Sequence, residues 1–220
     1  MEKRPEKTFR KRQSGSNRRY QSDSRMKKRK ADKKEAFRQY ANMPISQDMK
    51  RILDTDLQDL QCCVFDIETT GGNPDNNGIT EICAFKVEKG VITDRFYSMV
   101  NPRVPIPPIV RRMTGINNRM VRDAPLIEEV MPALLDFIGN DILVSHNTIG
   151  DLKFLRYFAK QTARHTMENF FLCTHLLTEK LASDAPDKSL SGVAKYLGIR
   201  FDDDAHRAEA DAKITYEVFE

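Results

Sequence analysis

Cys62-Cys63-Val64-Phe65-Asp66-Ile67-Glu68-Thr69-Thr70-Gly71 is the stretch whose reading decides the fold. It opens as a short apolar run with β-branched and aromatic residues, the pattern of a buried strand. Two carboxylates then enter, two positions apart. Side chains of a strand alternate between faces, so Asp66 and Glu68 point the same way and stand side by side at the strand end. Like charges that close repel and raise a pKa unless positive charge lies between them. A divalent ion with oxygen ligands, Mg²⁺ or Mn²⁺, answers that need. A strand end carrying two solvated acids has the same local pattern, so the rest of the chain has to decide. Thr69-Thr70-Gly71-Gly72 ends the strand with residues that let backbone approach a ligand.

The charge of the 220-residue chain is unevenly spread, although the total is only +4. Residues 1–40 hold 16 Lys and Arg against 5 Asp and Glu, leaving 20 basic and 27 acidic residues in the other 180. A strongly basic arm thus precedes an acidic globular part. Residues 1–45 lack a hydrophobic face and are expected to be a disordered basic arm, with a polar helix possible over 25–41. On a polyanionic substrate such an arm adds electrostatic attraction; otherwise it is a solvated tail. The domain is expected to span 46–220. The four cysteines, Cys62, Cys63, Cys83 and Cys173, form no C-x-x-C pair and are expected to be reduced and buried. No apolar run suits a membrane span or a secretory signal, which points to a cytoplasmic protein with no membrane partner.

Residues 48–60 read as a short polar segment, with a helix as one option, leading into a strand at 62–68. The turn-rich Asn73-Pro74-Asp75-Asn76-Asn77-Gly78 follows. Strands at 79–88 and 91–100, split by Glu88-Lys89-Gly90, read as a hairpin. The opening is therefore an antiparallel meander whose first strand carries the acids. Pro107-Pro108 opens a short helix that ends near Thr114-Gly115. Helical spacing of Leu126, Ile127, Val130, Leu134, Leu135 and Ile138 predicts a helix at 126–138. A strand at 141–145, a helix at 149–162, a strand at 170–173 and helices at 174–182, 189–197 and 206–219 complete a mixed α/β sheet.

Two more acidic positions stand out. Asp151 falls in the first turn of the helix after the strand ending at Ser145, where an acid also suits the helix dipole. Asp211 falls five residues after His206, and the two reach one site if the chain turns at His206. Asp202-Asp203-Asp204, just before, reads as a solvated loop and N-cap region.

Asp66, Glu68, Asp151 and Asp211 with His206 resemble the DEDD exonuclease superfamily in its histidine-containing branch (DEDDh), above all the proofreading (epsilon) exonucleases of bacterial DNA polymerase III and their stand-alone relatives. The matching motifs are Asp66-Ile67-Glu68-Thr69-Thr70-Gly71, His146-Asn147 through Asp151 to Phe154-Leu155, and His206-Arg207-Ala208-Glu209-Ala210-Asp211-Ala212. Asn101-Pro102, Ile106-Pro107-Pro108, Thr114-Gly115-Ile116 and Asp123-Ala124-Pro125 match as connecting features, and the likeness covers about residues 60–219. Thr114 departs from it, standing where the family often has histidine. Nothing follows Glu220 to act as a polymerase tether, so a stand-alone enzyme is the expectation.

The resemblance implies an RNase H-like exonuclease fold with a mixed five-stranded sheet flanked by helices. It implies metal-dependent 3′→5′ hydrolysis of DNA with release of nucleoside 5′-monophosphates, in replication proofreading or repair. Two ions, Mg²⁺ or Mn²⁺, are expected per site. Asp66 would bridge both, Glu68 and Asp211 would complete one ion's site, and Asp151 would hold the other. His206 would be the general base, an imidazole's ordinary pKa near 6.5 suiting that task. Thr69, Thr70 and Gly71 would seat the 3′-terminal nucleotide, with Asn147 near the metal site and Phe154 and Leu155 docking the helix of Asp151. The expected partner is nucleic acid with a single-stranded 3′ end, DNA favoured, with a DNA polymerase or repair protein as a further possible partner. RNA 3′-end trimming by the same chemistry is the alternative, since only contacts to the 2′-OH separate the two. A nucleic-acid-binding protein with an inactive site is a second.

Overall fold

A computed structural model describes residues 60–200 and 206–220. The basic arm, the polar segment at 48–59 and Asp202 to Asp204 lie outside the described residues. The sheet has five strands, β1 (Cys62–Thr69), β2 (Ile79–Glu88), β3 (Val91–Met99), β4 (Ile142–Ser145) and β5 (Phe171–Cys173). Their order is β3-β2-β1-β4-β5. The first three strands are antiparallel, whereas β4 and β5 run parallel to β1 and to each other. Six helices are described: α1 (Pro108–Thr114), α2 (Ile127–Ile138), α3 (Thr148–Thr162), α4 (Thr174–Leu181), α5 (Leu190–Leu197) and α6 (Ala208–Phe219). The expected mixed α/β architecture is present, with strand and helix ends within one residue of the sequence reading. The exception is the last helix, which begins at Ala208 and leaves His206 outside it.

β1 is central and covered on both faces, which is why its sequence is a nearly unbroken apolar run. Cys63, Phe65 and Ile67 face one core with Val130, Met131, Leu134 and Ile138 of α2 and Leu152, Leu155 and Ala159 of α3. Cys62 and Val64 face the other side, with Val87, Ile142, Val144 and the α6 residues Tyr216 and Phe219. Strand alternation continues this second face to Asp66 and Glu68. The outer strand β3 carries exposed Asp94 and Arg95, charges that discourage edge-to-edge pairing.

Helix α6 lies close on the sheet because small residues face it. Ala208 and Ala212 are fully buried against Cys83 and Phe85 of β2. Asp211 is neighbour to that contact, so the closeness of this helix sets where its carboxylate arrives. Replacing Ala212 by Leu should overpack the seam. The expected loss is about 1–3 kcal/mol in urea unfolding, with weaker divalent-ion binding by titration calorimetry.

Candidate active site

One end of the sheet gathers the chemistry. The C-terminal ends of β1 and β4, the start of β2 and the first turns of α3 and α6 meet there. β1 has an antiparallel neighbour on one side and a parallel one on the other, a place where strand ends leave room for a ligand. Asp66 and Glu68 come from β1 and Asp211 from α6, and carboxylate oxygens of these three lie within 4.8 Å of one another. Asp151 comes from α3, where it accepts a 2.6 Å hydrogen bond from Ser145 Oγ.

These acids are electrically stressed. Burial, and then repulsion from Asp151, Glu68, Asp211 and Glu81, pushes the Asp66 carboxyl well above the usual range. Burial, with Asp211 and Glu81 adding to it, pushes Glu68 up to about 8. Burial pushes Asp151 up to about 7 against the opposing Ser145 hydrogen bond. Asp211 is raised by burial too, opposed by the His206 backbone N–H. Among the described residues, no hydrogen bond or ion pair to the Asp66 or Glu68 carboxylate is found. Three convergent hard-oxygen donors in that condition fit a divalent cation.

Glu81 is the acid that the sequence pattern did not flag. It is fully buried on β2, directly across from Glu68 in the β1–β2 register. Burial acts to raise its pKa, but hydrogen bonds from Arg207, Tyr97 and Ala208 hold the carboxyl below its usual value. Arg207 donates to it from Nε (3.0 Å to Oε2) and from Nη2, Tyr97 OH donates at 2.7 Å, and the Ala208 N–H donates at 2.9 Å. Glu81 thereby caps the first turn of α6 from the neighbouring strand. A lone carboxylate inside Ile79-Thr80-Glu81-Ile82-Cys83-Ala84 was the available signal, and Arg207 sits inside the third motif.

His206 stands just before α6 with φ +71°, a left-handed conformation uncommon for a residue with a side chain. The turn leaves its side chain 55% exposed, with Nδ1 4.0 Å from Asp211 Oδ2. Its backbone N–H lies 3.4 Å from Asp211 Oδ1. The chain thus turns at His206 and brings it beside Asp211.

The other expected site residues divide. Thr69 Oγ1 donates to the Gly71 carbonyl at 2.9 Å. Thr70 is buried, and its hydroxyl is engaged within the loop, accepting from Gly78 N–H and donating to Asn77 Oδ1. Gly71 packs so tightly that a Cβ there would stand 2.5 Å from Asn77 Oδ1. Asn147 is the exposed residue that precedes α3. Phe154 and Leu155 lie on the helix that presents Asp151 and are buried in the main core, docking it there. His146 is buried, with Nδ1 2.9 Å from Thr174 Oγ1 and Nε2 2.9 Å from the Lys188 carbonyl, and burial lowers its pKa. Sequence reasoning also missed Ser145, which orients Asp151, and Lys153, whose Nζ reaches Asn73 Oδ1 at 3.1 Å and ties α3 to the loop after β1.

The model of the RNase_T family, described as Exonuclease, matches residues 63–219. A PolC-type DNA polymerase III of Caldanaerobacter subterraneus subsp. tengcongensis is 42% identical over 156 residues, 71% of this chain and 11% of that protein. The DNA polymerase III subunit epsilon of Aquifex aeolicus is 36% identical over 156 residues, 71% of this chain and 77% of that protein. Exonuclease X, solved in complex with 5′ overhanging duplex DNA, superposes with a TM-score of 0.59 at 27% identity, covering 71% of this chain and 87% of that one. Product-bound exonuclease I superposes with a TM-score of 0.63 over 73% of this chain and 42% of its own, and at 15% identity it speaks for the fold alone. The chain spans about a tenth of the length of the PolC-type relatives. This chain belongs to the exonuclease family, with its RNase H-like fold.

Two outcomes follow from the electrostatics. The raised carboxyls bind protons more tightly folded than unfolded, so stability falls as pH rises through the unfolded values near 4 toward the folded values of about 7 and 8. Metal-free protein should therefore lose melting temperature between about pH 5 and 8, and Mg²⁺ or Mn²⁺ should restore more at the upper end, as calorimetric scans can check. Glu81→Ala strands Arg207 and the Ala208 N–H. It should cost about 2–3 kcal/mol, less than for a pair buried at both ends, with a matching drop in ion affinity.

Proposed function

We propose that this member of the exonuclease family removes nucleotides from the 3′ end of DNA in the 3′→5′ direction. The products are nucleoside 5′-monophosphates, and the setting is replication proofreading or repair, alone or beside a polymerase. The observation that carries the reading is the meeting of Asp66, Glu68 and Asp211 within 4.8 Å at the sheet end. The names of the relatives, DNA polymerase III components, favour DNA.

In this reading Asp66, Glu68, Asp151 and Asp211 hold two divalent ions, Mg²⁺ or Mn²⁺. The chemistry such ions supply when bound is neutralisation of phosphate charge and acidification of water. Ser145 Oγ holds one oxygen of the Asp151 carboxylate and so fixes its orientation. Glu81 and Arg207 fix the start of α6, and so the place of Asp211. Thr69 and Gly71 shape the wall on which the terminal nucleotide rests, at the rim of the loop that Thr70 and Asn77 close. Asn147, just before α3, contributes near the metal site.

His206 is the general base. Its exposed ring has Nδ1 turned toward Asp211, which leaves Nε2 for the attacking water. His206 accepts the water's proton as the oxygen attacks phosphorus. The bond from phosphorus to the 3′-oxygen of the preceding nucleotide breaks, and that oxygen takes a proton from solvent. The basic arm at 1–45 raises the encounter rate with a polyanion that the acidic domain would otherwise repel.

The test is a matched digestion of 5′-labelled single-stranded DNA and RNA with Mg²⁺, Mn²⁺ or EDTA. Shortening from the 3′ end, faster on DNA, dependent on metal and absent in Asp66→Ala, is the expected result. His206→Ala should slow the reaction by roughly 10²–10⁴ while ion binding is kept. An active Asp66→Ala protein refutes the site, and faster digestion of RNA moves the substrate assignment to RNA.

A further inference from the structure

The span from Asn101 to Arg122 has a composition unlike the rest of the domain. It holds five arginines, Arg103, Arg111, Arg112, Arg119 and Arg122, and no Asp, Glu or Lys. Beyond residue 40 the chain has 20 basic residues against 27 acidic ones, so a quarter of the positive charge falls in 22 residues with none of the negative. Arg103 is paired with Glu128. Arg111, Arg112, Arg119 and Arg122 are exposed, and no described acid pairs with them. The C-terminal end of α1 accounts electrically for Arg111 and Arg112. It does not account for Arg119 or Arg122.

Apolar side chains stand on the same segment. Ile109 is 67% exposed, Met113 52% and Met120 42%. Ile109, Arg112 and Met113 share one face of α1 by their spacing of three and four. The segment is not loose chain: Ile106, Val110, Ile116 and Val121 form a small core of their own beneath it, with Met99 of β3 packed against them. Its polar frame is fixed as well, since Asn118 Oδ1 accepts from the Ile106 N–H and Asn101 Nδ2 donates to the Arg122 carbonyl.

The segment also starts at the site. β3 ends at Met99, which is the register partner of Glu81, itself opposite Glu68. Pro102 then abuts the loop after β1, where a Cβ on Gly78 would meet the Pro102 carbonyl oxygen at 2.7 Å.

From this placement we infer that residues 103–122 form a docking surface for the unpaired polynucleotide strand leading to the site, with Arg111, Arg112, Arg119 and Arg122 on its phosphates and Ile109, Met113 and Met120 against its bases. A surface both cationic and apolar matches a single strand, which displays phosphates and base faces together. A duplex keeps its base faces stacked inside and offers mainly phosphates and groove edges. The inference rests on the exonuclease reading only for where the strand ends.

Binding is measured on the full chain in EDTA, where nothing turns over, by fluorescence anisotropy with labelled (dT)20 and with a blunt duplex of the same length. Replacing Arg111, Arg112, Arg119 and Arg122 together by Gln should weaken (dT)20 binding roughly tenfold or more near 0.1 M salt. The slope of log K against log salt should fall by about 2–3, at roughly 0.7 per lost phosphate contact on a single strand. Arg119→Gln with Arg122→Gln leaves α1 untouched and should remove about half of that slope, which keeps the test usable if the fourfold variant misfolds. Ile109→Ser with Met113→Ser should weaken the single strand and spare the duplex. With Mg²⁺, hydrolysis of the p-nitrophenyl ester of thymidine 5′-monophosphate, which has no upstream phosphates, should be unchanged in all three. Unchanged affinity and slope in the arginine variants overturn the surface, and an equal loss on duplex overturns its preference for an unpaired strand. Failure of the wild type to hydrolyse either the small ester or (dT)20 counts against the exonuclease reading and leaves the binding result standing.

Discussion

Like-charge repulsion at the end of β1 is the constraint on which the rest of this structure depends. Asp66, Glu68 and Asp211 bring carboxylate oxygens within 4.8 Å. At an effective dielectric near 20, each ionised pair at that separation repels by about 3 kcal/mol. The local chain has no cheap way to hold such a cluster, so the surrounding fold must. Alternation on a doubly buried strand fixes Asp66 and Glu68, because a one-residue slip would drive both into the α2–α3 core. Asp211 is held by a helix whose alanines allow it to sit low on the sheet. What remains of the strain appears as raised carboxyl pKa values, a state in which protons and divalent ions compete for the same oxygens.

Glu81 shows how the fold resolves one more negative charge in the same place. It faces Glu68 across the β1–β2 pair, where another free carboxylate would add repulsion. Arg207 and Tyr97 neutralise and hydrogen-bond it, and its remaining capacity goes to the first N–H of α6. A potential liability is thereby turned into the clamp that sets the helix carrying Asp211. Glu81 and Glu68 are both buried carboxylates on facing strands, yet one is lowered and the other raised. The difference is the guanidinium and the helix N–H on one side and unpaired oxygens on the other.

The parts of this arrangement that were legible in the sequence are those set by short-range periodicity. Period-two alternation puts Asp66 and Glu68 on one face, helical spacing finds α2, and the handover from strand to helix after Ser145 puts Asp151 in a first turn. The missed residues act across elements. Nothing near Glu81 in sequence names Arg207, 126 residues away, and the pairing needs the strand register before it can be seen. Ser145 is adjacent to Asp151 only because β4 hands over to α3 through a two-residue connection. Thr70 reads as a ligand-seating hydroxyl, but the register of Thr70 with Gly78 draws it into the loop. The sequence reading starts the last helix at His206, whereas the helix begins at Ala208 and the chain turns at His206. The left-handed backbone of His206 is imposed from outside, by the anchoring of Arg207 and Ala208 to Glu81 on one side of it.

The distribution of charge has its own logic at this end of the sheet. An acidic cluster suited to cations repels a polyanion at a range of about 8 Å in physiological salt. Arginines placed inside the cluster would compete with cations for its oxygens, as Arg207 does for Glu81. Arginines placed one structural unit away can attract phosphates without neutralising the site. The segment after β3 meets both conditions: it leaves the sheet from the strand end paired with Glu81, and its small apolar core carries four exposed arginines that pair with no acid among the described residues. Opposite charges are thus kept on neighbouring elements of one rigid scaffold, close enough to serve one strand and separate enough not to cancel.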